Sequence, residues 1–130
     1  MLIVTCAIII HERKILICQR SSSMNLPLKW EFPGGKVEPN EDDATTIVRE
    51  IKEELHLDIE VVKRLEPVEH DYPTFRIRLV PFVAHAVGGK LLLEEHADAK
   101  WVTMDDLDQY DWAPADMPIV EQLKADALWN

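Results

Sequence analysis

Hydrophobic positions follow two different periods along this chain, and the change of period marks its organisation. Leu2 to Ile10 is a β-branched, almost continuous apolar run, which predicts a strand buried on both faces. His11 to Arg13 form a polar turn, and Lys14 to Arg20 a second strand, so the two make a hairpin. Three serines and Pro27 make Ser21 to Lys29 a surface loop. The period then lengthens. Ala44, Ile47, Val48, Ile51 and Leu55 recur at three-and-four spacing, the stripe of an amphipathic helix. Asn40 is the expected N-cap of that helix, with Glu41, Asp42 and Asp43 in its first turn, where negative charge favours the dipole.

Strand character returns at Ile59 to Leu65 and again from Phe75, where Phe75, Ile77 and Leu79 alternate with Arg76, Arg78 and Val80. Arg76 and Arg78 read as a solvated face. Phe82 to Val87 continue the run past Pro81, whose missing N–H predicts an edge or a bulge, and Gly88-Gly89 reads as a turn. Leu91 to Lys100 is a loop before a short strand, Trp101 to Thr103. A short helix begins over Met104 to Gln109, and Ile119 to Leu128 form the final helix.

Composition narrows the class. At 130 residues and 47% hydrophobic content, the chain supports one domain with a single core. The first apolar run is too short to span a bilayer and lacks the basic flank and cleavage site of a secretory signal, so no membrane role and a cytoplasmic location are expected. A net charge of −10 argues against a nucleic-acid polymer as partner, though not against a small anionic substrate whose phosphates are neutralised locally. Cys6 and Cys18 have no zinc spacing and read as buried, reduced core residues.

The chemistry concentrates on the helix. At about 100° per residue, Glu50, Glu53 and Glu54 fall together on a face away from the apolar stripe. Like charges at that spacing weaken a helix, and a hard divalent cation such as Mg²⁺ or Mn²⁺ would relieve them. Just upstream, Pro33-Gly34-Gly35 makes a tight turn free of side chains, where backbone can approach a ligand.

Gly35, Glu41, Arg49, Glu50, Ile51, Glu53, Glu54 and Leu57 stand at the spacing of the Nudix box, a glycine and a glutamate followed by REUXEEXGU with U aliphatic. The chain therefore resembles the Nudix hydrolases, in particular their MutT-like and CTP-hydrolysing members. One position departs: His56 stands where the box, spanning 35–57, has its second glycine. That place, past the helix end, is expected at φ > 0, which histidine tolerates better than most residues.

The resemblance covers nearly the whole chain and implies an α/β fold, an α/β/α sandwich around a central mixed sheet. It implies a Mg²⁺-dependent (Mn²⁺ substituting) nucleoside triphosphate pyrophosphohydrolase, acting as a monomer and releasing a monophosphate and pyrophosphate by attack at the β-phosphorus. Metal ligands would be Glu50, Glu53 and Glu54 with the Gly34 carbonyl. Glu53 or Glu95 would serve as base, and Arg49 would orient an acid. Glu41 would be supportive. Arg20, Glu31, Phe32, Pro33, Gly34 and Asp116 would border the substrate.

Plainer readings stand beside several of these roles. Arg20, Glu31 and Glu95 also fit simple solvated charges, and Asp116 also fits a helix N-cap. Base choice stays open: an ionised Asp116, acceptor only, suits the paired N1–H and N2 amine of guanine, while similarity to the CTP-hydrolysing branch points to cytosine. An oxidised guanine nucleotide is the favoured target. Other Nudix substrates, such as ADP-ribose or dinucleoside polyphosphates, and a silent binding module are the competing classes. The complete glutamate set opposes the last.

Overall fold

The computed structural model describes residues 1–125. Eight strands form one sheet: β1 (Leu2–His11), β2 (Lys14–Gln19), β3 (Trp30–Glu31), β4 (Gly34–Lys36), β5 (Leu57–Arg64), β6 (Val68–Tyr72), β7 (Phe75–Gly89) and β8 (Asp98–Val102). Helix α1 (Asp43–Leu55) packs on one face and α2 (Met117–Ala125) on the other. The sheet is mixed, because β1 and β7 run parallel while every other pairing of named strands is antiparallel. The expected α/β/α sandwich is thus present. No helix among the described residues is long and apolar enough to cross a membrane.

Alternation along β1 shows why its sequence is apolar throughout. Cys6 and Ile8 join the core beneath α2, whereas Ala7 and Ile9 join the core beneath α1. A strand covered on both faces has no polar side to display. Both cysteines are free and buried, as expected.

The site depends on a split between β1 and β2. The two strands pair only at their hairpin end, Ile10 with Ile15 and His11 with Lys14. Beyond it they diverge, and residues 30–36 fill the opening. Trp30 and Glu31 pair with Gln19 and Cys18 of β2, while Gly34 to Lys36 pair with Cys6 to Val4 of β1. Between them, the Ala7 N–H donates to the Pro33 carbonyl at 2.8 Å.

Several local expectations change. The buried stripe of α1 is Ile47, Ile51 and Leu55 with Thr46; Ala44 and Val48 face solvent, since the sheet covers only a narrow sector of the helix. Asn40 does not cap it. At φ 66° it lies in a turn, and Asp42, extended at φ −81°, accepts the Thr45 N–H instead. A cap needs extended backbone, which Asn40 lacks.

Pro81 lies at no edge: β7 pairs with β1 through it. On the other side of β7, β6 pairs up to Leu79 and the pairing with β5 begins at Phe82, so the missing N–H falls in the seam between them. There the Pro81 carbonyl accepts from Leu65 N–H. Val80 is buried, because β7 is central. Gly88 and Gly89 are not a turn but the end of β7, paired with Asp58 and Leu57. Strand β8 starts earlier than expected, at Asp98, and ends at Val102. The segment Met104–Gln109 is a 3₁₀ helix, and α2 starts at Met117, with Leu128 outside the described residues.

These positions separate core from surface on a single helix. Ile51→Ala, at a fully buried site, is expected to cost about 2–5 kcal/mol of stability in urea unfolding. Val48→Ala, at an exposed one, should stay within about 0.5 kcal/mol.

Candidate active site

Arg49 organises the acids of α1. Its Nε and Nη2 donate to the two oxygens of Glu41 at 2.8 and 3.0 Å, a bidentate pair. Its Nη1 lies 3.1 Å from Glu53 and 3.1 Å from Glu50. Glu41 stands before the helix, so it does not act as a first-turn dipole residue. Arg49 and the Thr46 hydroxyl, 2.7 Å away, hold its pKa down at about 2. The repulsion expected among the glutamates is therefore partly offset by a guanidinium within the chain.

The three glutamates sit in graded surroundings. The Glu53 side chain is 58% exposed and the Glu50 side chain 13%. Burial raises the Glu50 pKa, with Arg49 opposing. Burial pushes Glu54 up to about 7; His96 opposes that shift, and the charges of Glu50, Glu95 and Glu31 reinforce it. Among the described residues no three acidic, histidine or cysteine groups already converge on a single point. Their donor chemistry nevertheless suits a hard divalent ion, being all carboxylate oxygen on a rigid helix. Gly35 shapes this place: a Cβ there would overlap the Glu50 carboxyl, so the missing side chain is the space the carboxyl occupies. A Cβ on Gly34 would instead overlap the backbone carbonyl of Thr5.

Beside this helix, beyond Gly34 and Gly35, opens a cavity of about 450 Å³. Arg20, Glu31, Phe32, Gly34 and Asp116 line it, together with Tyr72. Of the residues expected at the substrate, only Pro33 is absent from the lining; it is buried, with its carbonyl bound to Ala7. Arg20 Nη1 donates to Glu31 Oε1 at 2.7 Å, and Arg20 Nε to the Asn25 carbonyl at 2.6 Å, so neither Arg20 nor Glu31 is a free solvated charge. Asp116 is 5% exposed and accepts the Phe32 N–H at 3.0 Å. Burial drives its pKa well above the ordinary carboxylate range, and Glu31 adds to the effect. Phe32 stacks on Trp112 at 4.8 Å between ring centroids.

His56 keeps the left-handed exit that the box glycine implies, at φ 60° and ψ 27°, and its N–H donates to the Lys52 carbonyl. It also does what glycine cannot. Its Nε2 bonds Glu94 at 2.7 Å. The N–H groups of Lys90, Leu92 and Glu94 donate to the carbonyls of His56, Leu55 and Glu54. The loop carrying Glu95 is thereby stitched to the C-terminal end of α1, satisfying carbonyls the helix itself cannot. Glu95 is exposed and close enough to raise the Glu54 pKa.

Two residues escape sequence reasoning, Tyr72 in the cavity wall and His96 behind Glu31. Tyr72, whose hydroxyl accepts the Ala115 N–H at 3.1 Å, has no signal beyond strand alternation. His96 is buried and bonded to Glu31 at 2.9 Å across 65 residues. Its one local cue is adjacency to Glu95.

The carboxylate-bearing helix and the cavity meet at Gly34 and Gly35, and a model of the NUDIX domain matches residues 1–123. The chain belongs to the Nudix hydrolases. It is 34% identical over 125 residues to the CTP pyrophosphohydrolase of Escherichia coli K12, covering 96% of this chain and 93% of that one. It is 29% identical over 114 residues to the 8-oxo-dGTP diphosphatase of the same organism, covering 88% of each. Among solved structures, the DNA mismatch repair protein MutT (family Nudix hydrolase) of methicillin-resistant Staphylococcus aureus 252 is 40% identical, with a TM-score of 0.78 and 95% of both chains covered.

The two glycines are expected to fail differently. Gly35→Ala displaces a flexible carboxyl, so activity should fall about tenfold or more while the melting temperature moves little. Gly34→Ala forces backbone apart and should lower the melting temperature by several degrees, on the order of 1–3 kcal/mol of overpacking. The Glu54 pKa gives a second test. Its folded value of about 7 lies above its ordinary 4.5, so the folded state holds the extra proton between those values. The stability this group contributes is therefore present at low pH and lost as pH rises through that window. Urea unfolding of the metal-free protein from pH 4.5 to 7.5 should show that loss, and Glu54→Gln should reduce it.

Proposed function

We propose that the chain is a nucleoside triphosphate pyrophosphohydrolase, with the nucleobase in the cavity and the triphosphate crossing Gly34 and Gly35 towards α1. The observation that carries this reading is the shared wall: the Gly34-Gly35 backbone borders the base cavity on one side and the Glu50 carboxyl on the other. Glu50, Glu53 and Glu54, with the Gly34 carbonyl, would hold Mg²⁺. When bound, such ions neutralise phosphate charge and lower the pKa of coordinated water.

The chain's own residues divide the remaining work. Arg49 holds Glu50 and Glu53 in place from Glu41. Glu53, the most exposed of the three, or Glu95 accepts the proton of the attacking water. Water attacks the β-phosphorus, the bond from that phosphorus to the α–β bridging oxygen breaks, and nucleoside monophosphate leaves together with pyrophosphate. Arg20, Glu31, Phe32 and Asp116 hold the base.

We read the protein as a single-domain, cytoplasmic monomer that clears oxidised dGTP, such as 8-oxo-dGTP, from the nucleotide pool. A cytosine nucleotide is the second reading, and one observation favours it. Selection of guanine by Asp116 assumes an ionised, acceptor-only group, whereas burial favours its neutral acid. A neutral acid can donate to cytosine N3 while accepting from the N4 amine.

A turnover screen across ordinary and oxidised nucleoside triphosphates decides between the two; absence of turnover on every triphosphate defeats both. In ¹⁸O-water the label is expected in pyrophosphate, and label in the monophosphate would place attack at the α-phosphorus. Glu53→Gln should lower kcat by roughly 10²–10⁴ if Glu53 is the base. Unchanged turnover in excess Mg²⁺ would pass that role to Glu95.

A further inference from the structure

The loop 90–97 carries a histidine, His96, that the reaction above does not use. The His96 side chain is 2% exposed, and its Nε2 lies 2.9 Å from Glu31 Oε2. A carboxylate only accepts, so Nε2 carries the hydrogen of this bond. The other ring nitrogen, Nδ1, is buried with no partner among the described residues. An apolar side chain would fill this place without that orphan, and a buried polar atom left unsatisfied calls for an explanation.

The explanation lies in what Glu31 would lose. Arg20 holds one oxygen of Glu31 at 2.7 Å and His96 holds the other. With a donor on each oxygen the carboxylate plane is fixed, and each oxygen keeps acceptor capacity on the residue's cavity side. Arg20 alone would leave Glu31 free to turn about that single contact. His96 is itself held from both directions. Glu94 N–H is bound to the Glu54 carbonyl of α1, and Ala97 N–H to the Gln19 carbonyl of β2. The backbone on either side of His96 is therefore tied to α1 and to β2, and the imidazole carries that anchorage to Glu31.

We propose that His96 is a positioning residue for base selection. It fixes the Glu31 carboxylate against the cavity, and so sets which base edge that carboxylate can accept from. Among the described residues its ring hydrogen-bonds Glu31 and no carboxylate of α1. This inference rests on the triphosphate reading, and its effect falls on discrimination among bases rather than on the chemical step.

The test uses two polar replacements that differ only in reach. In His96→Gln the amide nitrogen takes the place of Nε2 and can still donate to Glu31. In His96→Asn it reaches only the place of Nδ1. Steady-state kinetics on a panel of triphosphates, with melting temperatures alongside, compare them with the wild type. For the asparagine variant, KM for the preferred triphosphate should rise about tenfold, the scale of a lost hydrogen bond to a charged group, with kcat within about threefold. The spread of kcat/KM across bases should shrink by a similar factor.

The glutamine variant should recover most of both. A directly measured Kd for the nucleoside monophosphate product should follow the same order. Equal discrimination in all three proteins, whatever their melting temperatures, would reduce His96 to a structural role and overturn the proposal. A uniform loss of kcat with unchanged KM would overturn it too, by placing His96 in the chemistry. A wild type inactive on every triphosphate would instead refute the substrate reading, and the proposal with it.

Discussion

Residues 34 and 35 occupy a space that admits backbone and nothing more. On one side the strand formed by Gly34 to Lys36 lies against β1, close enough that any side chain on Gly34 would meet the Thr5 carbonyl. On the other, the Glu50 carboxyl rests where a Gly35 side chain would stand. This contact fixes the distance between the cavity and the helix. It also explains why β1 and β2 part after two paired positions: the segment 30–36 must enter between them to bring its turn to that place.

Electrostatics then shapes the helix face. Five acidic residues, Glu41 ahead of α1, Glu50, Glu53 and Glu54 on its C-terminal half and Glu95 in the loop beside it, make up this region. One guanidinium serves three of them; Glu54 is not among these, and burial, reinforced by the charges of Glu50, Glu95 and Glu31, raises its pKa. Half-buried carboxylates short of positive charge are costly in isolation and favour binding of a cation. The stability conceded there and the capacity to bind are one property of the same arrangement.

The cavity obeys a different logic. Its acids are kept apart in character. Glu31 is clamped by Arg20 and His96, whereas Asp116 accepts from the Phe32 N–H and lies buried. The first is set up to accept. The second is pushed towards the neutral form that both donates and accepts. Two carboxyl groups in one cavity thus present different hydrogen-bonding faces.

Much of this was legible along the chain. The change from a continuous apolar run to a three-and-four stripe marks β1 and α1, because burial on both faces of a strand and on one face of a helix leaves those patterns in any sequence. Spacing alone brought Glu50, Glu53 and Glu54 together, since helical geometry is local. Burial of Val80, the place of Pro81 in a seam and the exposure of Val48 were not legible; each depends on which neighbour a strand or helix meets. The same holds for His96 and Glu31. Their bond closes over 65 residues, and only the folded sheet brings a loop before β8 to the end of β3.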